Sequence, residues 1–244
     1  MSVIAVIPAR YGSTRLPAKA LADIDGLPMI VRVWRQAKMA PSIERVIVAT
    51  DDDRIAAPLR EAGGEVMMTA ATHQSGTDRI AEVARDVRAD IYLNVQGDQP
   101  FTDPRDLEAL IAPMLRDSSI EMATLATPIA DVEEFLNPTK VKVICDDSGN
   151  ALYFSRSPIP HARDFEGVPP GALRHIGVYA YRRDFLLHFA SLPPGRIEQL
   201  EKLEQLRALE NGHRIRVVNS IAPSLEVDTA EDLARARRSQ MRLS

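Results

Sequence analysis

Four short apolar runs in the first hundred residues, VIAVI (3–7), RVIVAT (45–50), VMMT (66–69) and IYLNV (91–95), alternate with stretches of helical period. Runs that short read as strands, and the segments between them are long enough for crossover helices. The alternation predicts βαβ units and hence a mostly parallel α/β sheet with helices on both faces. Helices are expected over 28–39, with Pro28 in the first turn, from an Asp52 cap towards Gly63 and Gly64, and over 77–88. Beyond residue 103 the pattern becomes mixed. A helix is expected over 103–114 and strands over 121–127 and 141–146, the latter turning through DDSGN into a strand over 151–155. Residues 158–171 hold four prolines and two glycines and read as an irregular loop. A strand over 173–181 follows, then a helix over 197–211 with Leu200, Leu203, Leu206 and Leu209 as its buried stripe. A strand over 215–219 and a helix over 229–238 close the chain. The expectation is one domain over 1–244 with an inserted mixed α/β lobe near 128–180.

The net charge of −4 speaks against a nucleic-acid partner, which needs a basic face to neutralise phosphates. A single cysteine, Cys145, rules out an internal disulfide. No apolar run approaches the roughly 18 residues that span a bilayer, and the amino terminus lacks a signal-like pattern. The expectation is a cytoplasmic protein with no membrane partner.

The cations are local rather than global. Arg10, Arg15 and Lys19 crowd the loop that follows the first strand, where ligands of open α/β sheets sit. Three cations among backbone N–H groups suit a polyanion such as a triphosphate. In NVQGDQP (94–100), Gly97 permits a tight turn after a buried strand. Asp98 then stands at the sheet's carboxyl edge, a candidate Mg²⁺ ligand, since Mg²⁺ takes one or two carboxylates plus phosphate oxygens and water. Asp228 in EVDTAEDL is a second candidate. Its competing reading is a helix cap, with Glu231 closing a capping box. HQSGTDR (73–79) opens a helix: its backbone could read a base edge while Arg79 reaches phosphate, or Ser75 or Thr77 could cap. Strand alternation sets His175, Gly177 and Tyr179 on one face, a possible ligand wall. Arg156 could take a carboxylate bidentately.

Taken together, IPARYGSTRLPAK (7–19), VIVATDD (46–52), HQSGTDR, NVQGDQP, ALYFSRSPIP (151–160), RHIGVYAYRRDFL (174–186), LEQLR (203–207) and VDTAEDL resemble the 3-deoxy-manno-octulosonate cytidylyltransferases over nearly the whole chain. The resemblance implies a Rossmann-like nucleotidyltransferase fold that couples CTP to 3-deoxy-manno-octulosonate (Kdo), releasing pyrophosphate, for lipopolysaccharide assembly. It implies that Arg10, Ser13, Arg15 and Lys19 hold the triphosphate and that Ser75, Arg79 and Gln96 surround the cytidine. Asp98 and Asp228 would bind Mg²⁺. Arg156, His175, Tyr179, Glu204 and Gln205 would meet the sugar acid, with residues 128–180 serving sugar binding and dimerisation in a homodimer. Lys19, Arg15, Asp98 and Asp228 are the expected catalytic set. The alternatives are a cytidylyltransferase for a related acid sugar (8-amino-Kdo or sialate) and a non-catalytic nucleotide-binding module. Two departures stand out: Ala18 replaces the glycine usual before this lysine, and Gln99 replaces the usual glutamate after the aspartate.

Overall fold

The computed structural model describes residues 1–12, 16–222 and 225–240. In chain order the elements are β1 (Val3–Ala9), a 3-10 turn (Lys19–Leu21), β2 (Asp23–Ile24), β3 (Leu27–Pro28), α1 (Met29–Lys38), β4 (Arg45–Thr50), α2 (Asp53–Glu61), β5 (Glu65–Met68), α3 (Gly76–Asp86), β6 (Ile91–Asn94) and α4 (Pro104–Arg116). They continue with β7 (Met122–Pro128), α5 (Val132–Leu136), β8 (Lys142–Cys145), β9 (Ala151–Ser155), β10 (Leu173–Arg182), α6 (Arg183–Ser191), α7 (Arg196–Glu201), α8 (Leu206–Glu210), β11 (Ile215–Asn219) and α9 (Ala230–Gln240). The chain divides into two compact units, Met1–Glu108 with Ser224–Ser244, and Ala109–Pro223.

In the first unit the strand order is β6-β1-β4-β5, every pairing parallel. From β1 the chain steps outward to β4 and β5, then returns to β6 on the other side of β1. Right-handed crossovers therefore put α1 and α2 on one face and α3 on the other. The reversal falls between β1 and β6, and the crevice it opens lies beyond their carboxyl ends. Buried apolar residues fill β1 (Val3 to Ile7) and β6 (Ile91 to Leu93), as strands covered on both sides require. The chain's last segment closes this unit: Val227, Leu233 and Ala236 pack with Ile24 and Met29.

In the second unit the order is β11-β7-β10-β8-β9. The β11–β7 pair is parallel and the other three pairs antiparallel. Residues 128–180 lie within this unit, whose sheet also draws in β7 and β11 from either side. The expected hairpin is present as β8–β9. Helices α5 and α6 were not anticipated.

The expected single helix over 197–211 is two helices. Lys202 adopts a left-handed conformation (φ 54°) that ends α7, and the chain resumes as α8. The break lets Arg207 turn back onto Glu198, with Nε to Oε2 at 2.8 Å and Nη2 to Oε1 at 2.6 Å. Nine residues along an unbroken helix would stand about 13.5 Å apart. Leu203 and Leu206 are buried, but Leu200 is 73% exposed, so the expected stripe fails at its first member.

Candidate functional site

Three loops of the first unit enclose a cavity of about 400 Å³ beyond the carboxyl ends of β1 and β6. Pro8 to Arg10 and Lys19 line it from the first strand's loop, His73 to Gly76 and Arg79 from the start of α3, and Gln96 to Asp98 from the loop after β6. Glycine lets these walls come together. A Cβ on Gly76 would stand 3.1 Å from Pro8 Cγ, and one on Gly97 would stand 3.4 Å from the Pro8 carbonyl oxygen.

Lys19 is the hub of this site. Its Nζ donates to Asp98 Oδ2 at 2.6 Å and to Asp228 Oδ1 at 2.9 Å. Partial burial opposes the lysine's charge, yet the two carboxylates overcome it and hold its pKa above the ordinary value. Asp98 and Asp228 are far apart in sequence but tied by backbone, because the Val227 N–H donates to the Asp98 carbonyl at 2.9 Å. Val227 is itself fully buried, so the apolar cluster under α9 places Asp228.

The competing reading, a capping box of Asp228 and Glu231, does not hold, because the box lies one residue further on. Thr229 Oγ1 accepts the Asp232 N–H at 3.2 Å, and Asp232 Oδ2 accepts the Thr229 N–H at 3.1 Å. With Thr229 serving as the cap, the Asp228 carboxylate points to Lys19 instead. Thr229 and Asp232 offer the same capping pattern in sequence, so the spacing alone could not choose between them.

The remaining residues expected around a nucleotide divide into three groups. Arg10 is exposed on the cavity wall. Ser13 and Arg15 lie outside the described residues. Ser75 caps α3, its Oγ accepting the Asp78 N–H at 3.1 Å, and Gln96 Nε2 donates to Asn94 Oδ1 at 3.0 Å. Arg79 reaches the cavity wall but is 4% exposed; Nη1 donates to Thr69 Oγ1 and Nη2 lies 3.4 Å from Asp51 Oδ2. Asp51 and Thr69 were missed at the sequence level. His73, also on the wall, is gripped by Glu82, which accepts from both His73 Nε2 and the Ala70 N–H.

The two departures have local explanations. Ala18 has φ 52° and ψ 34°, the left-handed region where glycine is at ease and alanine is strained. Gln99 is buried and its Nε2 donates to Glu226 Oε1 at 3.3 Å. A carboxylate there would face another carboxylate, so the amide suits this neighbour.

In the second unit, β10 carries an irregularity between Ile176 and Tyr179. His175 pairs with Ala126 and Tyr179 with Thr124, two positions apart on β7, so the two side chains share a face. Gly177 falls in the bulge and is not part of that face in register. The rings of His175 and Tyr179 stand 5.4 Å apart, with Phe154 edge-on to His175 at 5.0 Å. Burial pushes the His175 pKa down to about 3, so the ring is neutral at ordinary pH, and its Nε2 lies 2.9 Å from Thr124 Oγ1.

Arg156 directs its guanidinium at carbonyls: Glu201 at 2.7 Å, Pro138 at 3.1 Å and Lys202 at 3.4 Å. The Glu201 carboxylate accepts from Ser155 Oγ at 2.6 Å and from the Arg156 N–H at 2.9 Å. Gln205 is buried, and Glu204 Oε1 lies 3.9 Å from Arg207 Nη2. Lys142, fully buried in β8, was also missed; its signal was a lysine inside an apolar strand.

Residues 4–215 match the family model described as cytidylyltransferase. The chain is 54% identical over 242 residues to the 3-deoxy-manno-octulosonate cytidylyltransferase of Syntrophotalea carbinolica, covering 96% of this chain and 97% of that one. Against the protein of that name from Geobacter metallireducens the identity is 52%, covering 96% and 95%. A solved structure of CMP:2-keto-3-deoxy-manno-octonic acid synthetase complexed with CTP superposes with a TM-score of 0.95 at 44% identity, covering 100% of both chains.

Proposed function

The chain belongs to the cytidylyltransferase family, among the 3-deoxy-manno-octulosonate cytidylyltransferases, and from that premise we propose that it transfers CMP from CTP to the anomeric hydroxyl of Kdo. The anomeric hydroxyl gives up its proton to solvent as its oxygen bonds to the α-phosphorus, the bond from that phosphorus to the β-phosphate bridging oxygen breaks, and pyrophosphate leaves. The product serves lipopolysaccharide assembly. The observation that carries this reading is the Lys19 ammonium held by Asp98 and Asp228 on the wall of the cavity.

Catalysis here is positioning and charge stabilisation, as in other phosphorus transfers. Lys19, with Arg10 and Arg15, neutralises the triphosphate and stabilises the charge that builds on pyrophosphate. Ser75, Arg79 and Gln96 hold the cytidine. Two carboxylates within hydrogen-bond reach of one ammonium form an oxygen donor pair of the kind Mg²⁺ prefers, so Asp98 and Asp228 would hold it. Among the described residues no third acidic, histidine or cysteine side chain joins such a group, so oxygens from outside the protein would be needed beside this pair. When bound, Mg²⁺ neutralises phosphate charge and makes an alcohol a better nucleophile. Arg156, His175, Tyr179, Glu204 and Gln205 receive the sugar acid, Arg156 taking its carboxylate. Among the described residues no helix is long and apolar enough to cross a membrane. The enzyme works in the cytoplasm as a homodimer.

The test is ligand-dependent melting with a panel of nucleoside triphosphates, followed by pyrophosphate release with CTP and a panel of acid sugars. At 100 times its Kd a ligand of the folded state adds about 2.7 kcal/mol of stability. CTP is expected to give the largest shift, and Kdo to give turnover. A preference for another triphosphate, or faster turnover with 8-amino-Kdo or sialate, overturns the substrate assignment. Silence with every sugar overturns the catalytic reading.

A further inference from the structure

Lys142 is fully buried, yet its Nζ donates to three backbone carbonyls, those of Asn137 at 2.9 Å, Lys140 at 2.5 Å and Arg156 at 2.7 Å. An ammonium offers three donors and no acceptor. A neutral amine in this cage would set its lone pair against a carbonyl lone pair. The geometry thus fixes the charged form, although burial and then the neighbouring Arg156 guanidinium push the lysine's pKa down.

Arg156 is placed in the same way. Its guanidinium spends its hydrogen bonds on the carbonyls of Pro138, Glu201 and Lys202. The two cations therefore divide one turn between them: Lys142 takes the carbonyls of residues 137 and 140, and Arg156 takes that of residue 138. Lys142 also holds the Arg156 carbonyl itself. Against this pair stands the carboxylate of Glu201, already accepting from Ser155 Oγ and the Arg156 N–H.

Two cations face one carboxylate here. Withdrawing a charge from water is costly unless other charge answers it. A chain that keeps a buried ammonium behind an arginine has built a surplus of positive potential, which an anion can use. Carbonyl partners leave the arginine's charge uncancelled, in contrast to Arg207, which is paired with the Glu198 carboxylate.

We propose that Lys142 is a positioning residue for the carboxylate of the sugar substrate. It fastens the 137–140 turn and the Arg156 backbone so that the guanidinium meets the acid group, and it adds charge from behind without touching the ligand. This rests on the reading of Arg156 as the partner of the substrate carboxylate.

The chain has five lysines, so ¹⁵N-lysine labelling of the whole enzyme gives a short list of ammonium signals. The caged Lys142 resonance is assigned as the signal that persists when Lys19, Lys38, Lys140 and Lys202 are each changed to Arg in turn. Addition of Kdo is expected to shift it, and addition of CTP alone to leave it in place. A resonance unmoved at Kdo concentrations that saturate turnover overturns the proposal. Absence of any Kdo turnover overturns the reading of Arg156 beneath it. A second measurement uses Lys142→Met, with KM for Kdo expected to rise at least tenfold while KM for CTP stays within twofold. Equal changes in both, or in neither, contradict the role. Should that variant fail to fold, the resonance of the wild-type enzyme still decides.

Discussion

Replacing Ala18 by glycine should make the protein more stable, and the size of the gain can be worked from one dihedral pair. Ala18 sits at φ 52° and ψ 34°, immediately before the 3-10 turn that carries Lys19. For an L residue with a Cβ this conformation costs about 1–2 kcal/mol relative to right-handed backbone. Glycine escapes most of that cost but gives back about 0.5–1 kcal/mol through the greater freedom of its unfolded chain. The turn itself does not depend on the methyl group. The Leu21 N–H donates to the Ala18 carbonyl at 2.8 Å and the Lys19 N–H to the Leu16 carbonyl at 3.1 Å, both backbone interactions that glycine retains. The net expectation for Ala18→Gly is a gain of about 0.5–1 kcal/mol, read as a higher urea midpoint with an unchanged m-value. Thermally this corresponds to about 1–4 °C for a chain of this length. Turnover should stay within threefold, because two carboxylates, not the preceding residue, fix the Lys19 ammonium. A lower midpoint would refute the reasoning, since it would mean that the left-handed backbone is not strained in alanine.

Burial and close packing set three further outcomes. His175 refuses a proton down to about pH 3, whereas the unfolded chain accepts one near pH 6.5. Between those values the unfolded state binds more protons, so stability should fall as pH is lowered, by up to about 1.4 kcal/mol per unit, and be unaffected by this group above pH 7. Urea midpoints for His175→Gln should have a shallower slope between pH 6.5 and 4 than the wild type; equal slopes would contradict the buried neutral ring. Leu200→Ala should change stability by less than about 0.5 kcal/mol, whereas Leu206→Ala should cost about 2–5 kcal/mol, because only the second side chain is buried. Similar losses in both would restore the continuous helix. Gly76→Ala should weaken CTP binding, measured by calorimetry, because its Cβ would press Pro8 where α3 meets β1. Unchanged affinity would show that this approach has slack.

The parallel core was legible because strand and helix periods differ and each short run stands alone between helical stretches. That let β1, β4, β5 and β6 be read in order, and their pairing put the loops of Lys19 and Asp98 side by side. Other features depend on tertiary contacts that leave little local trace. Lys202 is no glycine, so nothing at the break announces that α7 stops; the Glu198–Arg207 pair is what the break serves. Thr229 and Asp228 are equally good caps in isolation, and a buried Val227 tied to Asp98 decides which one turns inward. The role of Lys142 leaves little trace in the sequence because its three partners are backbone carbonyls, which any sequence supplies.

The most direct test of the whole account is turnover of Asp228→Asn, measured as pyrophosphate release from CTP and Kdo at saturating Mg²⁺, beside its urea midpoint. If this carboxylate works with Lys19 and Asp98 on the nucleotide, turnover falls about 100-fold or more while stability changes by no more than about 1 kcal/mol. Turnover within threefold of the wild type, with the loss appearing in stability instead, would make Asp228 a piece of helix-end scaffolding and remove the centre of the proposed site.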